Sequence, residues 1–486
     1  MCGLAIPCKG RKDYVRFALG FGLISFPSVE KQIGFMSLRA SLLRELEQPN
    51  LSVDRRAELC CDLTRELENR GEYEEAQKVL RDYWPRIGEV PRVAGLEEST
   101  AAELFLRAGV ITGIVGAYRQ IPDAQETAKD LLTQSHTIFE SRQVIKKIAE
   151  ARTELALCYW RTDDLDEARD CLKQALALLT IDSELKAKAL LRLSIVEHAA
   201  EHDRKAFRIL TKYETLFRKL SNETLKGCYF TTLGNRLENL AESGKRGAYI
   251  DRALIEYAAA SYHLELSGHR QYLANVETNL GYLYFKINRY AEANEHLDRA
   301  RRIYVRIKDS RTAAQVDETR ARILLAQGRI TQAERVARSA VRVQDRGGNI
   351  ELLTEALITY GRVLARSERY GAALTTFRRA IDLSDQAGLA HRATEAIVAA
   401  FRELGDRLVV SERGQLLSGF AMGQDRVSRE REVIKLALEE SKGRISRAAR
   451  SLGVSWQSLS YALRTRHRDL IDKRTPARPR KRSNKN

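Results

Sequence analysis

Three stretches decide the architecture: Asn288-Arg-Tyr-Ala-Glu-Ala293, Gly328-Arg-Ile-Thr-Gln-Ala333 and Glu368-Arg-Tyr-Gly-Ala-Ala373. Their final alanines stand 40 residues apart. The same interval separates Ala300, Ala340 and Ala380, and also Gly281, Ala321 and Gly361 on the segment before. A small residue that returns at a fixed interval marks a place where two helices approach closely. Leu280, Leu297 and Ile303 supply the bulk between such places. Each interval therefore reads as a helix, a short turn and a second helix, and a chain built by repeating that unit is all-α.

Toward the N-terminus the units are less regular. Gly71-Glu-Tyr-Glu-Glu-Ala76 precedes Leu80 and runs to Trp84-Pro85. Asp164-Leu-Asp-Glu-Ala168 follows Leu155-Ala-Leu-Cys-Tyr159 and precedes Ala175. His202–Ala206, Ile250–Ala253 and Pro122-Asp-Ala124 mark further turns. The pattern resembles tetratricopeptide repeats, whose usual unit is about 34 residues with small, aromatic and small positions in this order. The longer interval implies helices or turns a few residues longer. Roughly eight or nine units cover residues 37–405, giving a solenoid in which each helix pair packs on its neighbours. The resemblance implies a surface for a protein or peptide partner, for dimerisation, or for both. Tyr159, Tyr282, Tyr284 and Tyr360 look like a binding stripe but sit at core spacing, so packing is expected of them.

Length and composition agree with a repeat array. The chain has 486 residues, of which 30% are charged, and few glycines or prolines. This excludes fibrous and disordered classes. Seven cysteines, an odd number without C-x-x-C spacing, exclude a zinc pattern or a disulfide framework, so a cytoplasmic protein is expected. No uninterrupted apolar run is long enough to span a membrane, and Arg107 breaks the most apolar segment, Leu104–Tyr118. No membrane partner is expected. His198 and His202 bracket Glu201 without a metal-ligand order, no phosphate-binding loop is present, and no metal site, cofactor or catalytic residue is assigned. Residues 1–36 lack helical periodicity and read as a leader, with Met36 as one candidate start of translation. Gly405, Gly414, Gly419 and Gly423 mark a hinge at 406–425.

The net charge is +17, and its location matters more than its size. Residues 426–463 hold eight Lys/Arg and four Asp/Glu, and 464–486 hold ten and two, so +12 lies in this last part. Such an excess favours phosphate, because each neutralised phosphate releases counterions. The same part reads as a compact helical domain, 426–472. Arg426–Ser441 is an amphipathic helix with Val433, Ile434, Ala437 and Leu438 inward, and Gly443 ends it. A short helix follows, with Ser446 as N-cap and Ala448, Ala449 and Leu452 inward. Gly453 turns the chain, and Ser455 caps a third helix whose Leu459, Ala462 and Leu463 complete the core. Val454 staples against Leu459.

This spacing resembles the Fis-type helix-turn-helix, found in the factor for inversion stimulation and in many bacterial enhancer-binding activators. The matching string runs Ala437-Leu-Glu-Glu-Ser-Lys-Gly-Arg-Ile-Ser-Arg-Ala-Ala-Arg-Ser-Leu-Gly-Val-Ser-Trp-Gln-Ser-Leu459. It departs from the family at Arg444, where asparagine is common, and at Trp456, where a basic residue usually begins the recognition helix. The resemblance implies double-stranded DNA as partner and a homodimer on a two-fold site. Ser455, Trp456, Gln457, Ser458, Ser460, Tyr461 and Arg464 would face base edges, with Gln457 suited to adenine and Arg464 to guanine or phosphate. Trp456 has a second reading, packed on the domain's first helix. Lys442, Arg444, Ser446, Arg447 and Arg466 would hold phosphates. Lys473, Arg474, Arg480, Lys481 and Arg482 would do so from a disordered basic arm, 473–486, in which Pro476 and Pro479 exclude a helix. The expectation is a sequence-specific transcriptional regulator. The alternative is an interaction scaffold whose basic tail binds nucleic acid without sequence preference.

Overall fold

The computed structural model describes residues 38–119, 121–242, 246–404 and 431–470, the last with gaps at 432, 436, 440, 442 and 453–455. The leader, the hinge and the basic arm lie outside the described residues. The described chain consists of helices joined by short turns, without a strand, as the repeat spacing required. It forms two units, one ending at Leu283 and one beginning at Tyr284.

The first unit opens with α1 (residues 38–46), α2 (Val53–Asn69) and α3 (Tyr73–Val79). Ser52 caps α2 by accepting from the Arg55 amide at 3.1 Å. The fully buried Trp84 anchors the segment after α3, its indole donating to the Glu89 carbonyl at 2.9 Å. Next come α4 (Glu98–Arg119), α5 (Ala124–Ser141), α6 (Ile145–Arg161), α7 (Leu165–Leu178) and α8 (Glu184–Ala199). After them come α9 (Asp203–Lys212), α10 (Glu214–Lys219), α11 (Glu223–Glu242) and α12 (Arg246–Ser267).

By length and composition α4 could cross a membrane, but it is a core helix here, with 83% of its apolar window buried by the unit. Gly116 lets it touch α5, since a Cβ there would lie 2.2 Å from that of Ala124. Arg107, which breaks the apolar run, is also buried. It is neutralised by Glu68 at 2.6 Å, by Glu103 at 3.3 Å and by Glu150. Burial pushes the Glu68 carboxyl up to about 7 even with Arg107 beside it.

The unit also closes on itself, a contact that no local pattern announces. Thr224, at the start of α11, donates to the Asn69 carbonyl at the end of α2, at 2.8 Å. The buried His269 imidazole sits over Gly71, where a Cβ would lie 2.5 Å from the ring. It stacks on Tyr272 at 3.8 Å, and burial holds it neutral, with a pKa lowered to about 4.

Starting with α13 (Arg270–Lys286), the helices keep a regular length: α14 (Tyr290–Arg306), α15 (Ser310–Ala326), α16 (Ile330–Gly347), α17 (Ile350–Arg366), α18 (Tyr370–Gln386) and α19 (Ala390–Leu404). The 40-residue period resolves into two steps of 20. Asn288, Lys308, Gly328, Gly348, Glu368 and Gly388 all have positive φ. Each follows a helix of 17 or 18 residues, in the turn after it. In five of these turns the next amide reaches back to close a Schellman loop: Arg289 to Tyr284, Asp309 to Tyr304, Arg329 to Leu324, Arg369 to Leu364 and Leu389 to Ser384, at 2.8 to 3.0 Å. The extra length over an ordinary repeat therefore lies in the helices.

The recurring small residues do what their spacing required. Ala293, Ala300, Ala321, Ala333, Ala373 and Ala380 are fully buried. Gly361 admits the buried Phe377 ring, which a Cβ would meet at 2.7 Å. The four tyrosines are half-buried between neighbours. Tyr284 stacks on His296, Lys129 lies over Tyr159, and Arg338 donates to Tyr360.

Candidate nucleic-acid interface

The last described segment packs around a small apolar centre. Val433, Ile434, Ala437 and Leu438 come from its first helical stretch, Ala448, Ala449 and Leu452 from the second, and Leu459, Ala462 and Leu463 from the third. All were expected inward. Gly443 has φ +74, and its amide donates to the Leu438 carbonyl at 2.8 Å, so it ends the first stretch. The second helix, α20 (Ile445–Ser451), is followed by α21 (Trp456–Thr465) and a 3-10 turn (Arg468–Leu470) that buries Leu470. Two groups outside the sequence reading lock this end. Arg431 forks onto Asp469, its Nε at 3.0 Å, and this holds the Asp469 carboxyl below its usual range. His467 is fully buried.

On α21, Trp456, Gln457, Tyr461 and Arg464 are exposed. Gln457, Tyr461 and Arg464 stand at i, i+4 and i+7, one face of a helix, opposite Leu459, Ala462 and Leu463. Trp456 is 52% exposed. Arg444, Ser446 and Arg447 are exposed at the start of α20, and Arg466 is exposed just past α21.

Two expectations are corrected. Ser460 does not face outward: it is 7% exposed. Around the helix it stands about 60° from Leu463 and about 40° from Arg464, at the margin of the two faces, where its small side chain is covered. Ser446 is not the N-cap, because α20 already includes Ile445 and the Arg444 carbonyl accepts from the Arg447 and Ala448 amides at 3.0 Å. Ser446 thus sits in the first helical turn. Gly453, Val454, Ser455, Lys442 and the arm residues Lys473, Arg474, Arg480, Lys481 and Arg482 lie outside the described residues, and nothing is described of the Ser458 side chain.

The sequence profile described as bacterial regulatory protein, Fis family, matches residues 427–465. The chain carries tetratricopeptide repeats and a C-terminal Fis-family helix-turn-helix. Tetratricopeptide-repeat profiles match residues 147–219, 278–307 and 314–339. The Fis-family domain therefore occupies the three helical stretches described above, and the repeats fall in both units. No curated protein matches the sequence. Solved structures are similar to the repeat array in part. A signal-transduction ATPase (STAND) protein with a tetratricopeptide-repeat sensor from Pyrococcus horikoshii is 15% identical, over 77% of this chain and 56% of that one, with a TM-score of 0.47. Aspartyl phosphate phosphatase F from Bacillus subtilis is 11% identical over 78% of this chain and 97% of its own, with a TM-score of 0.46. A human IFIT1 dimer is 13% identical over 76% and 81%, with a TM-score of 0.47.

Proposed function

We propose that this protein is a sequence-specific DNA-binding transcriptional regulator. In this reading α21 enters the major groove and its exposed row reads base edges. Gln457 pairs bidentately with adenine, Arg464 reaches guanine or an adjacent phosphate, and Trp456, Tyr461 and Ser458 flank them, with Ser455 at the helix entry. Arg444, Ser446, Arg447 and Arg466 hold phosphates on either side, joined by Lys442 and the basic arm. The observation that carries the reading is the division of α21 into a buried apolar side and an exposed polar side ending in a cation, on a Fis-family domain. Ser460, being buried, takes no part in base reading.

The repeat array would present the regulator to a protein or peptide partner and hold two copies together. A pair of domains on a two-fold site doubles a footprint that one domain leaves small. Cytoplasmic residence follows from that role. Modules of these two kinds bind rather than catalyse, and no catalytic role is assigned to any residue.

Selection of bound duplexes from a random pool by the full chain tests the reading. It predicts an enriched motif with two related halves. Binding that weakens with salt but enriches no sequence would overturn it and support a scaffold with a non-specific tail.

A further inference from the structure

Charge in the second unit is not confined to the Fis-family domain. Residues 284–404 contain 22 Lys/Arg against 15 Asp/Glu. Several exposed arginines there are neutralised. Arg338 and Arg369 share Glu334, Arg366 binds Glu403 at 2.7 Å, and Arg379 binds Asp345 at 2.6 Å. A group on α14 and α16 is not. Arg306, Arg335, Arg342 and Arg346 are exposed and have no carboxylate partner among the described residues. Arg302 is exposed and donates only to its own helix, at the Asp298 carbonyl.

Their spacing gathers them. Arg335, Arg342 and Arg346 stand at i, i+7 and i+11, within one narrow stripe of α16. Arg302 and Arg306 stand 40 residues before Arg342 and Arg346, so the repeat sets them at the equivalent place one unit earlier. Arg306 and Arg346 lie in the last turns of their helices, where a cation suits the helix dipole. That explanation does not reach Arg335 or Arg342, which lie further in.

We infer that this arginine stripe is a second nucleic-acid contact, binding the phosphate backbone of duplex DNA. The inference rests on the DNA-binding reading of the Fis-family domain, which lies in the same unit, and extends it to the repeats. Eleven residues of helix span about 16 Å. Duplex DNA carries a phosphate charge about every 1.7 Å of its axis, so three arginines in that length can each take a separate phosphate. Guanidinium suits this use, since its planar fork grips two phosphate oxygens at once. Such contacts add affinity without sequence preference.

The test is the salt dependence of duplex binding by the full chain and by an Arg335→Gln/Arg342→Gln/Arg346→Gln variant, with helical content checked by circular dichroism. Each phosphate contact contributes about 0.9 to the slope of log affinity against log salt, so loss of three lowers it by about 2.7. Between ~50 and ~200 mM salt the variant should therefore lose about 40-fold less affinity than the parent. Its enriched sequence should not change. An unchanged slope in a folded variant overturns the inference. So does loss of binding to vesicles of anionic phospholipid with the DNA slope intact, which would make the stripe a lipid contact. A parent chain that enriches no sequence, together with a variant whose slope falls, would sink the sequence-specific reading and leave the stripe standing. A parent chain that binds no duplex at all overturns both.

Discussion

Replacing Arg107 with methionine tests how the first unit holds charge inside an apolar helix. The side chain is 3% exposed and faces Glu68, Glu103 and Glu150. Glu103 and Glu150 keep Lys147, at 2.5 and 3.1 Å, and Glu103 keeps Arg65 as well. Glu68 loses its ion-pair partner. Removing one member of a buried ion pair costs about 3–5 kcal/mol, because the remaining charge stays desolvated. The loss depends on pH, with a definite sign. Burial already raises the folded-state pKa of Glu68 to about 7 in the parent, and removing the cation raises it further. A carboxyl whose folded pKa lies above its unfolded value makes stability fall as pH climbs through that interval. The variant should therefore be weaker than the parent by about 3–5 kcal/mol at pH 8 and by about half that at pH 6, where Glu68 can hold a proton. Urea denaturation followed by far-UV circular dichroism at both pH values measures this. Adding Glu68→Gln to the variant should recover about 2 kcal/mol at pH 8. A loss below about 1 kcal/mol at pH 8, or no recovery in the double variant, would refute the buried-charge argument.

Three further outcomes follow from particular sites. Gly361→Ala should lose about 1–2 kcal/mol in thermal unfolding, since overpacking against Phe377 outweighs the gain in helix propensity, whereas Gly371→Ala, with open space beside it, should gain about 0.5–1 kcal/mol. Lys308→Gly should raise stability by about 0.5–1 kcal/mol and Gly328→Ala should lower it by about 1 kcal/mol, because both positions hold a left-handed backbone. Burial raises the Glu318 carboxyl to about 7, so its charge weakens the fold as pH rises from about 4.3 to 7. Glu318→Gln should accordingly stabilise the chain at pH 8, by on the order of 2–3 kcal/mol, and change little at pH 5. Equal effects at the two pH values would count against that.

The repeats were legible because small residues at fixed intervals have one physical cause, close helix approach, and Ala293, Ala333 and Ala373 report it directly. The 20-residue step inside each repeat was hidden. Its left-handed turns use lysine, glutamate and asparagine at Lys308, Glu368 and Asn288 as well as glycine, so residue type does not reveal them. The closure of the first unit was also hidden, because Asn69 and Thr224 are 155 residues apart and nothing local links them. In the Fis-family domain the apolar inward residues of the three helices were legible from their period, but His467 and Leu470 beyond them were not. Ser460 was not, since a small polar residue at the edge of the buried arc fits either side. The arginine stripe was masked by the total. Summed over the first 425 residues, an excess in the second unit is diluted by the nearly balanced first unit.

The central claim is that α21 reads base sequence. The most direct measurement is selection from random duplexes by the full chain and by Gln457→Ala in parallel, scored base by base. The account predicts that the variant keeps the motif and loses preference at one adenine in each half, where the wrong base now costs about 1–3 kcal/mol less. A motif unchanged at every position, or no motif from the parent chain, would contradict it.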